Sequence, residues 1–456
     1  MQLALKKRKN FSNDTLKKAL KIAWPAVVES FFIAFTGLID TLMVSSLSSY
    51  AVAAVGLTMQ PKFIGLALFI AIGVATSAVV ARRFGENKKD LANKTLLTAL
   101  YFTIISAIIV SLIFVFGADF IINICGSTNN THNDAVTYLK IIMGGMIFNC
   151  IQVTINSAQR GAGNTKITMT TNVTSSLVNI TFNYLLIGGK FGFPALGIKG
   201  AAIATVLGTV VSSIMSIISL INKDRFLSLV YIVKEKLRPT LDAFKILIRF
   251  GYSVFIEQVL LRIGFAATAI MAANLGDNSM SAHQVAMNMM GITFSFGDGL
   301  QAAAVALIGK SLGENELEKA KEYGRACQFI GAIISVVLAI VVFFSAKYIM
   351  QAFFPKNPEI VEIGVELMWL QIIIILFQIV QVIYMGCLRG AGDTLYTAII
   401  TTTSVTVIRT VVSYLFGFII GLGILGVWVG VLADQITRFI CSGIRFKRGK
   451  WVKLKI

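Results

Sequence analysis

Apolar residues in this chain fall in long blocks separated by short polar stretches. The blocks occupy 22–46, 50–81, 95–117, 135–158, 166–188, 195–221, 243–274, 279–310, 325–346, 360–387, 394–418 and 421–444. Each offers about the 20 residues that a helix needs to cross a hydrocarbon core of roughly 30 Å. A backbone exposed to lipid must satisfy its own hydrogen bonds, and these runs are too long for barrel strands. The pattern therefore predicts an all-α integral membrane protein with twelve transmembrane helices.

Composition agrees with the pattern. Of 456 residues, 56% are hydrophobic and 14% charged, with a mean hydropathy of +0.78, far from an ordinary soluble domain. The basic start, Lys6, Lys7, Arg8, Lys9, Lys17, Lys18 and Lys21, runs directly into a full-length span, so the first helix is expected to be an uncleaved anchor. Most of the 41 Lys and Arg lie in the two termini and in the connections after even-numbered spans. Lys190, Lys199, Lys347 and Lys356 lie on the other side, and Lys62, Lys140, Arg262 and Arg409 fall within or at the ends of spans. This asymmetry predicts a multi-pass protein of the cell (inner or plasma) membrane with both termini cytoplasmic. A basic face beside anionic lipid also accounts for the net charge of +19 without a nucleic-acid partner.

Cys125, Cys150, Cys327, Cys387 and Cys441 show no paired spacing and read as small packing residues, and His132 and His283 are too scattered for a metal site. The sequence holds no Walker loop, GxSxG or HExxH motif, so neither ATP-driven transport nor hydrolysis is indicated, and no cofactor or enzymatic activity is expected.

The chain repeats itself. QRGAGNT from Gln159 returns as LRGAGDT from Leu388, FGEN at 84–87 as LGEN at 312–315, and LGIKG at 196–200 as LGILG at 422–426. Anchors so collinear indicate a duplicated half of about 228 residues. With six spans each, the halves enter and leave the membrane on the same side and form parallel repeats, an architecture known from transporters that alternate access to a central site. The expected division is an N-lobe at 1–221, a cytoplasmic linker at 222–242 and a C-lobe at 243–456. In the repeated motifs, Gly161, Gly163, Gly390 and Gly392 are expected to form tight turns or hinges, with Asn164 and Asp393 capping the helices that follow. Arg160 and Arg389 suit the cytoplasmic ends of their spans.

Chemistry is sought among charges inside the spans, where they are costly. Those singled out are Glu29, Asp40, Glu257, Arg262, Asp298, Glu366, Arg409 and Asp434. Asp40 lies in the outer half of the first span, where a proton or Na+ from outside reaches it; its bland alternative is a protonated carboxyl joining two helices. Glu257 is a second candidate ion or substrate site with Arg262, which in the bland reading simply pairs with it. Asn179 and Asn183 share a helix face, and with Thr205 they add polar groups to the first half, although Asn and Thr also serve as interhelical glue. Phe31, Phe35, Met287 and Met290 are candidates for a substrate cavity, since thioethers and aromatic faces adapt to varied flat cations.

At these residues the chain resembles the multidrug and toxic compound extrusion (MATE) family along nearly its whole length. The resemblance rests on Trp24-Pro25, GLIDTLMV around Asp40, RRFGENKKD at 82–90, QRGAGNT, LRGAGDT, NITFNYLLI from Asn179 and IKGAAIAT ending at Thr205. It implies two pseudo-symmetric six-helix bundles in a V, and secondary active export of amphipathic, often cationic compounds in exchange for H+ or Na+. By position, Asp40, Asn179 and Thr205 match the N-lobe cation cluster of the DinF-like branch, with Asp40 as the main coupling carboxylate. Pro25 matches that branch's first-helix proline, linked there to bending. Asn183 stands where many members carry Asp. Glu257 resembles the seventh-helix acid of the NorM branch, whose tenth-helix Asp is replaced here by Gln378. The expected partners are the small-molecule substrates and the bilayer, and the expected state is a monomer. The runner-up is a flippase for a lipid-linked precursor of related two-lobed build, which would favour more spans and more cavity arginines.

Overall fold

The computed structural model describes residues 11–45, 47–222, 225–355 and 357–454. Lys6, Lys7, Arg8 and Lys9 of the basic start, and Lys356, lie outside the described residues. Among the described residues the ordered structure is helical, without strands. The spans are α1 (Asn13–Ser45), α2 (Ser49–Gly85), α3 (Lys89–Phe116), α4 (His132–Gly144 with Met146–Gly161), α5 (Thr165–Ile187) and α6 (Ile198–Ile218). The second repeat supplies α7 (Leu241–Asn274), α8 (Asp277–Gly313), α9 (Leu317–Phe353), α10 (Pro358–Gly390), α11 (Thr394–Ile419) and α12 (Gly423–Arg448).

Ten of these are long and apolar enough to cross a membrane, and the two limbs of α4, bent by 46°, make an eleventh. The remaining member, α5, is helical over 23 residues but rich in Thr, Ser and Asn. Thr168, Thr171, Ser176, Asn179 and Asn183 are buried, and one row meets α4 through the bond from Asn156 Nδ2 to Thr171 Oγ1 at 2.9 Å, while the exposed Thr170 and Thr181 donate back to the Lys166 and Leu177 carbonyls of their own helix. Polarity directed into the protein is compatible with a spanning helix, because lipid never meets it. With α5 the twelve expected spans are complete.

Packing divides the chain into two units, Phe31–Phe255 and Met1–Ser30 with Ile256–Ile456. The boundaries fall inside α1 and α7, not in the connection at 222–242. In the Phe31–Phe255 unit that connection is docked rather than free. The buried Asn93 of α3 donates to the Phe226 carbonyl at 2.8 Å and accepts from the Ser228 amide at 3.0 Å, while Lys89 lies over the Tyr231 ring at 4.5 Å. A small apolar core of Val80, Leu96, Ile155, Leu220 and Leu227 sits beneath it. The other unit has a larger core around Leu300, Leu367, Ile375 and Trp428.

The doubled motifs fold alike, but only in part as expected. Gly163 and Gly392 have φ of +81° and +89°, the left-handed turn that glycine makes without strain. Gly161 and Gly390 do something else: they close the helix ends against a neighbour. A Cβ on Gly161 would lie 2.5 Å from the Ser77 carbonyl oxygen of α2, and one on Gly390 would lie 2.8 Å from the Val305 Cα of α8. Asn164 and Asp393 precede their helices without capping them through their side chains. Asn164 instead donates to Gln159 Oε1 at 2.9 Å, and Asp393 accepts from Arg445 Nε at 2.8 Å; side-chain partners outcompete the helix amides. The FGEN and LGEN turns match too, with Asn87 and Asn315 both left-handed, at φ of 54° and 59°.

Candidate functional site

The polar cluster of the Phe31–Phe255 unit begins with how closely α5 and α6 approach. Gly200 and Gly208 of α6 face α5, where a Cβ would lie 2.6 Å from the Leu186 carbonyl oxygen and 2.8 Å from the Ser175 carbonyl oxygen. Small residues let the two backbones meet. Thr205, between those glycines, accepts a hydrogen bond from Asn179 Nδ2 at 3.0 Å. One turn along α5, Asn183 Nδ2 donates to Asn179 Oδ1 at 3.2 Å and to Asp40 Oδ1 of α1 at 2.6 Å. The four residues singled out in the sequence thus form one continuous line, Asp40–Asn183–Asn179–Thr205, across α1, α5 and α6. Asn179 and Asn183 are buried, Asp40 and Thr205 half-buried.

Within this line Asn183 uses both amide hydrogens, while its buried Oδ1 has no hydrogen-bond partner. An orphan acceptor of that kind carries a desolvation penalty of about 1–3 kcal/mol, which a proton donor or a cation removes.

Two further residues complete the surroundings of Asp40. The buried Tyr138 of α4 faces Thr205 with its hydroxyl and lies within electrostatic reach of Asp40. Lys62, the residue after Pro61 in the middle of α2, interacts electrostatically with Asp40. Lys62 and Thr205 line the same cavity of about 30 Å³, with Asn149 and Thr209 adding polar atoms and Gly145, at the bend of α4, adding space. Such a volume accommodates a water-sized guest.

Phe31 and Phe35 stack with centroids 5.8 Å apart at 11°, and Phe35 is exposed. Met287 and Met290 belong to the other unit, where Met290 is buried in the core and Met287 packs against it. Pro25 is buried in α1, which continues as helix through it.

In the second unit the carboxylate of Glu257 is engaged by an unexpected partner. Arg389 Nη2 of the second RGAG motif lies 2.6 Å from Glu257 Oε1, and both side chains are buried. The motif that reads as turn hardware therefore also supplies the counter-ion of α7's acid. Farther along, a π-helical stretch at Thr403–Ile408 precedes Arg409, which is fully buried 3.4 Å from Asp434 Oδ2. Asp434 is already held by both Arg438 Nε at 2.9 Å and Arg438 Nη2 at 2.7 Å. Arg409 completes its surroundings with the Phe265 ring, 4.9 Å away. Gln378, where an acid was sought, is buried and within 3.4 Å of the Thr293 hydroxyl. Glu366 is exposed on α10.

Sequence reasoning passed over Lys62, Tyr138, Arg389 and Arg438 as site residues. For Lys62 the signal was present: an ammonium in the middle of an apolar run is as costly as a carboxylate. Tyr138 carries no such mark.

Comparison with known proteins bears on this arrangement. A family profile described as MatE matches residues 25–185 and again 253–415, once in each repeat. A protein of Thermotoga maritima described as "Probable multidrug resistance protein NorM" is 26% identical over 96% of this chain and 93% of its own length. A protein of Bacillus subtilis described as "Uncharacterized transporter YisQ" is 25% identical over 97% of this chain and 98% of its own. Among solved structures, an outward-facing multidrug resistance MATE family transporter of the MOP superfamily superposes with a TM-score of 0.88 at 21% identity, covering 96% of this chain and 97% of that one. A MOP superfamily transporter from Pyrococcus furiosus, described as having a binding pocket of reverse polarity, reaches 0.89 at 21% identity with 97% of each chain covered.

Proposed function

Since the chain belongs to the MatE family of integral membrane transporters, we propose that it is a secondary active multidrug efflux antiporter in which Asp40 couples export to the entry of H+ or Na+. Its substrates are amphipathic, often cationic small molecules, a reading supported by the multidrug resistance names of relatives that align end to end with it. The distribution of Lys and Arg supports cytoplasmic termini.

One observation carries the coupling role: Asp40 is joined through Asn183 and Asn179 to Thr205, so its charge state is read by three helices at once. As a carboxylate it accepts the short bond from Asn183. Once neutralised by a proton it becomes a donor, and the orphan Asn183 Oδ1 is the acceptor that an amide rotation would present to it. The same carboxyl therefore has two hydrogen-bonded arrangements with α5, which is the bistable element that a coupling ion must bias. Return of the ion to the cytoplasm restores the first arrangement and resets the cycle.

The test is uphill transport. Purified protein in liposomes, given an outward-to-inward gradient of H+ or Na+, is expected to move ethidium against its concentration gradient and to stop when an ionophore collapses the gradient. Movement only down the ethidium gradient, indifferent to the ionophore, would make the protein a passive pathway and end the antiport reading.

A further inference from the structure

We propose that the second repeat holds a binding site for one small monovalent anion, a halide or a small carboxylate, at the buried guanidinium of Arg409.

The duplication supplies the frame. Gly426 of α12 is the counterpart of Gly200 of α6, and it too lets its helix approach the preceding one, since a Cβ there would run into the Phe416 backbone of α11. Counted from the duplicated motifs on either side, Arg409 falls on the counterpart of 180–183 in α5. Where the first repeat sets amides beside a carboxylate, the second sets a cation.

Asp434 does not satisfy that cation. Arg438 takes both carboxylate oxygens in a fork, Nε to Oδ1 at 2.9 Å and Nη2 to Oδ2 at 2.7 Å, while Arg409 Nη2 stands 3.4 Å from Oδ2 without a hydrogen bond. Two guanidinium groups share one carboxylate, so the cluster carries one net positive charge, and arginine does not shed its proton. Arg409 is fully buried, and among the described residues its Nε, Nη1 and Nη2 all lack a hydrogen-bond acceptor. The neighbours supply none. Phe265 offers only the face of its ring. His283, within electrostatic reach of Arg409, accepts from Trp428 Nε1 at its Nδ1, so its other nitrogen is a donor. Ser404 gives its hydroxyl to the Asp434 carbonyl, and Glu257 is engaged by Arg389.

Water would satisfy the N–H groups but leave the charge in a poorly solvated interior, whereas a monovalent anion does both. A dianion would reverse the imbalance. With Arg409 and Asp434 both fully buried, the occupant is limited to a few atoms. The π-helical turns at Thr403–Ile408 and Leu415–Ile419 flank Arg409, and such turns interrupt a helix most often at functional sites.

The purified full chain in detergent is equilibrated with radioactive chloride at constant ionic strength, gluconate making up the remainder. Wild type is expected to retain one chloride per chain, saturably, and to unfold at a higher temperature in chloride than in gluconate. Displacement of the chloride by acetate would extend the site to carboxylates, and its absence would limit the site to halides; both uphold the site. Arg409→Gln leaves Asp434 and Arg438 as a neutral pair, so it should fold, bind chloride at least about tenfold more weakly and unfold at the same temperature in both anions. Asp434→Asn, with a larger positive charge, should depend more strongly on chloride than wild type. An arginine that only packs would not make stability follow the identity of the anion. Wild type that retains no chloride and unfolds alike in both anions, or Arg409→Gln that retains chloride as well as wild type, would overturn the site. Neither assay involves transport, so that failure would leave the antiport reading standing.

Discussion

Arg389 Nη2 and Glu257 Oε1 lie 2.6 Å apart, although 132 residues separate them in the chain. The pair joins the end of α10 to the middle of α7 and leaves neither charge alone in a buried setting. Removing one partner of such a pair typically costs about 3–5 kcal/mol, because the survivor is left uncompensated, whereas neutralising both is far milder. Glu257→Gln and Arg389→Gln are each expected to lower the unfolding temperature in detergent substantially, and the double variant to recover most of the loss. Equal, additive losses in the single and double variants would show that the two charges do not depend on each other.

The two glycines of each RGAG motif have separable roles. A methyl group on Gly161 would meet the backbone of Ser77, and one on Gly390 the backbone of Val305, so neither neighbour can yield by a side-chain rotation. Gly161→Ala and Gly390→Ala should each destabilise by about 1–3 kcal/mol through overpacking. At Gly163 there is open space, and there as at Gly392 alanine meets a left-handed backbone, for about 1 kcal/mol. Thermal unfolding of the four variants gives the order, and a milder effect at 161 and 390 than at 163 and 392 would reverse the assignment.

Glu86, in the turn after α2, is expected to add an acid-sensitive increment to stability. Burial pushes its carboxyl up, but bonds and charges from Arg83, at 2.8 Å, and Lys88, at 3.0 Å, outweigh it and hold the group below its ordinary value of 4.5. A depressed carboxyl stabilises the fold above its unfolded-state value and loses that contribution as pH falls through the folded value. The half-exposed setting limits the amount to about 1 kcal/mol or less. Glu86→Gln should therefore unfold at a slightly lower temperature than wild type at pH 7, and the difference should vanish as the pH falls well below 4.5. A difference that persists undiminished in acid would assign it to something other than the charge.

Much of this protein is written along one dimension. Spans appear as apolar blocks, the duplication as collinear motifs, and Asp40, Asn179 and Asn183 as polar residues placed where polarity is costly. The line they form with Thr205 follows from two glycines on α6, which bring helices adjacent in sequence into contact. Less legible were relationships that depend on distant helices meeting. Arg389 looked like a cation at a membrane surface until α7 placed Glu257 beside it. Lys62 reads only as a cation within or at the end of a span, and the small cavity it shares with Thr205 forms only where α2 meets α4 and α6. α5 is legible as a helix, yet its Thr and Asn make sense only once α4 and α6 cover them. The docking of the 222–242 connection depends on Asn93, a single buried amide with nothing in its local sequence to announce it.

The central claim is that Asp40 carries coupling rather than substrate, and Asp40→Asn tests it most directly. The variant keeps the shape and a hydrogen-bonding group for Asn183 but holds no exchangeable charge. In liposomes under an imposed pH gradient, it is expected to lose at least about tenfold of wild-type ethidium efflux while binding ethidium within about threefold of the wild-type affinity, the signature of a lost coupling step with binding retained. Gradient-driven efflux by Asp40→Asn at the wild-type rate would contradict the account.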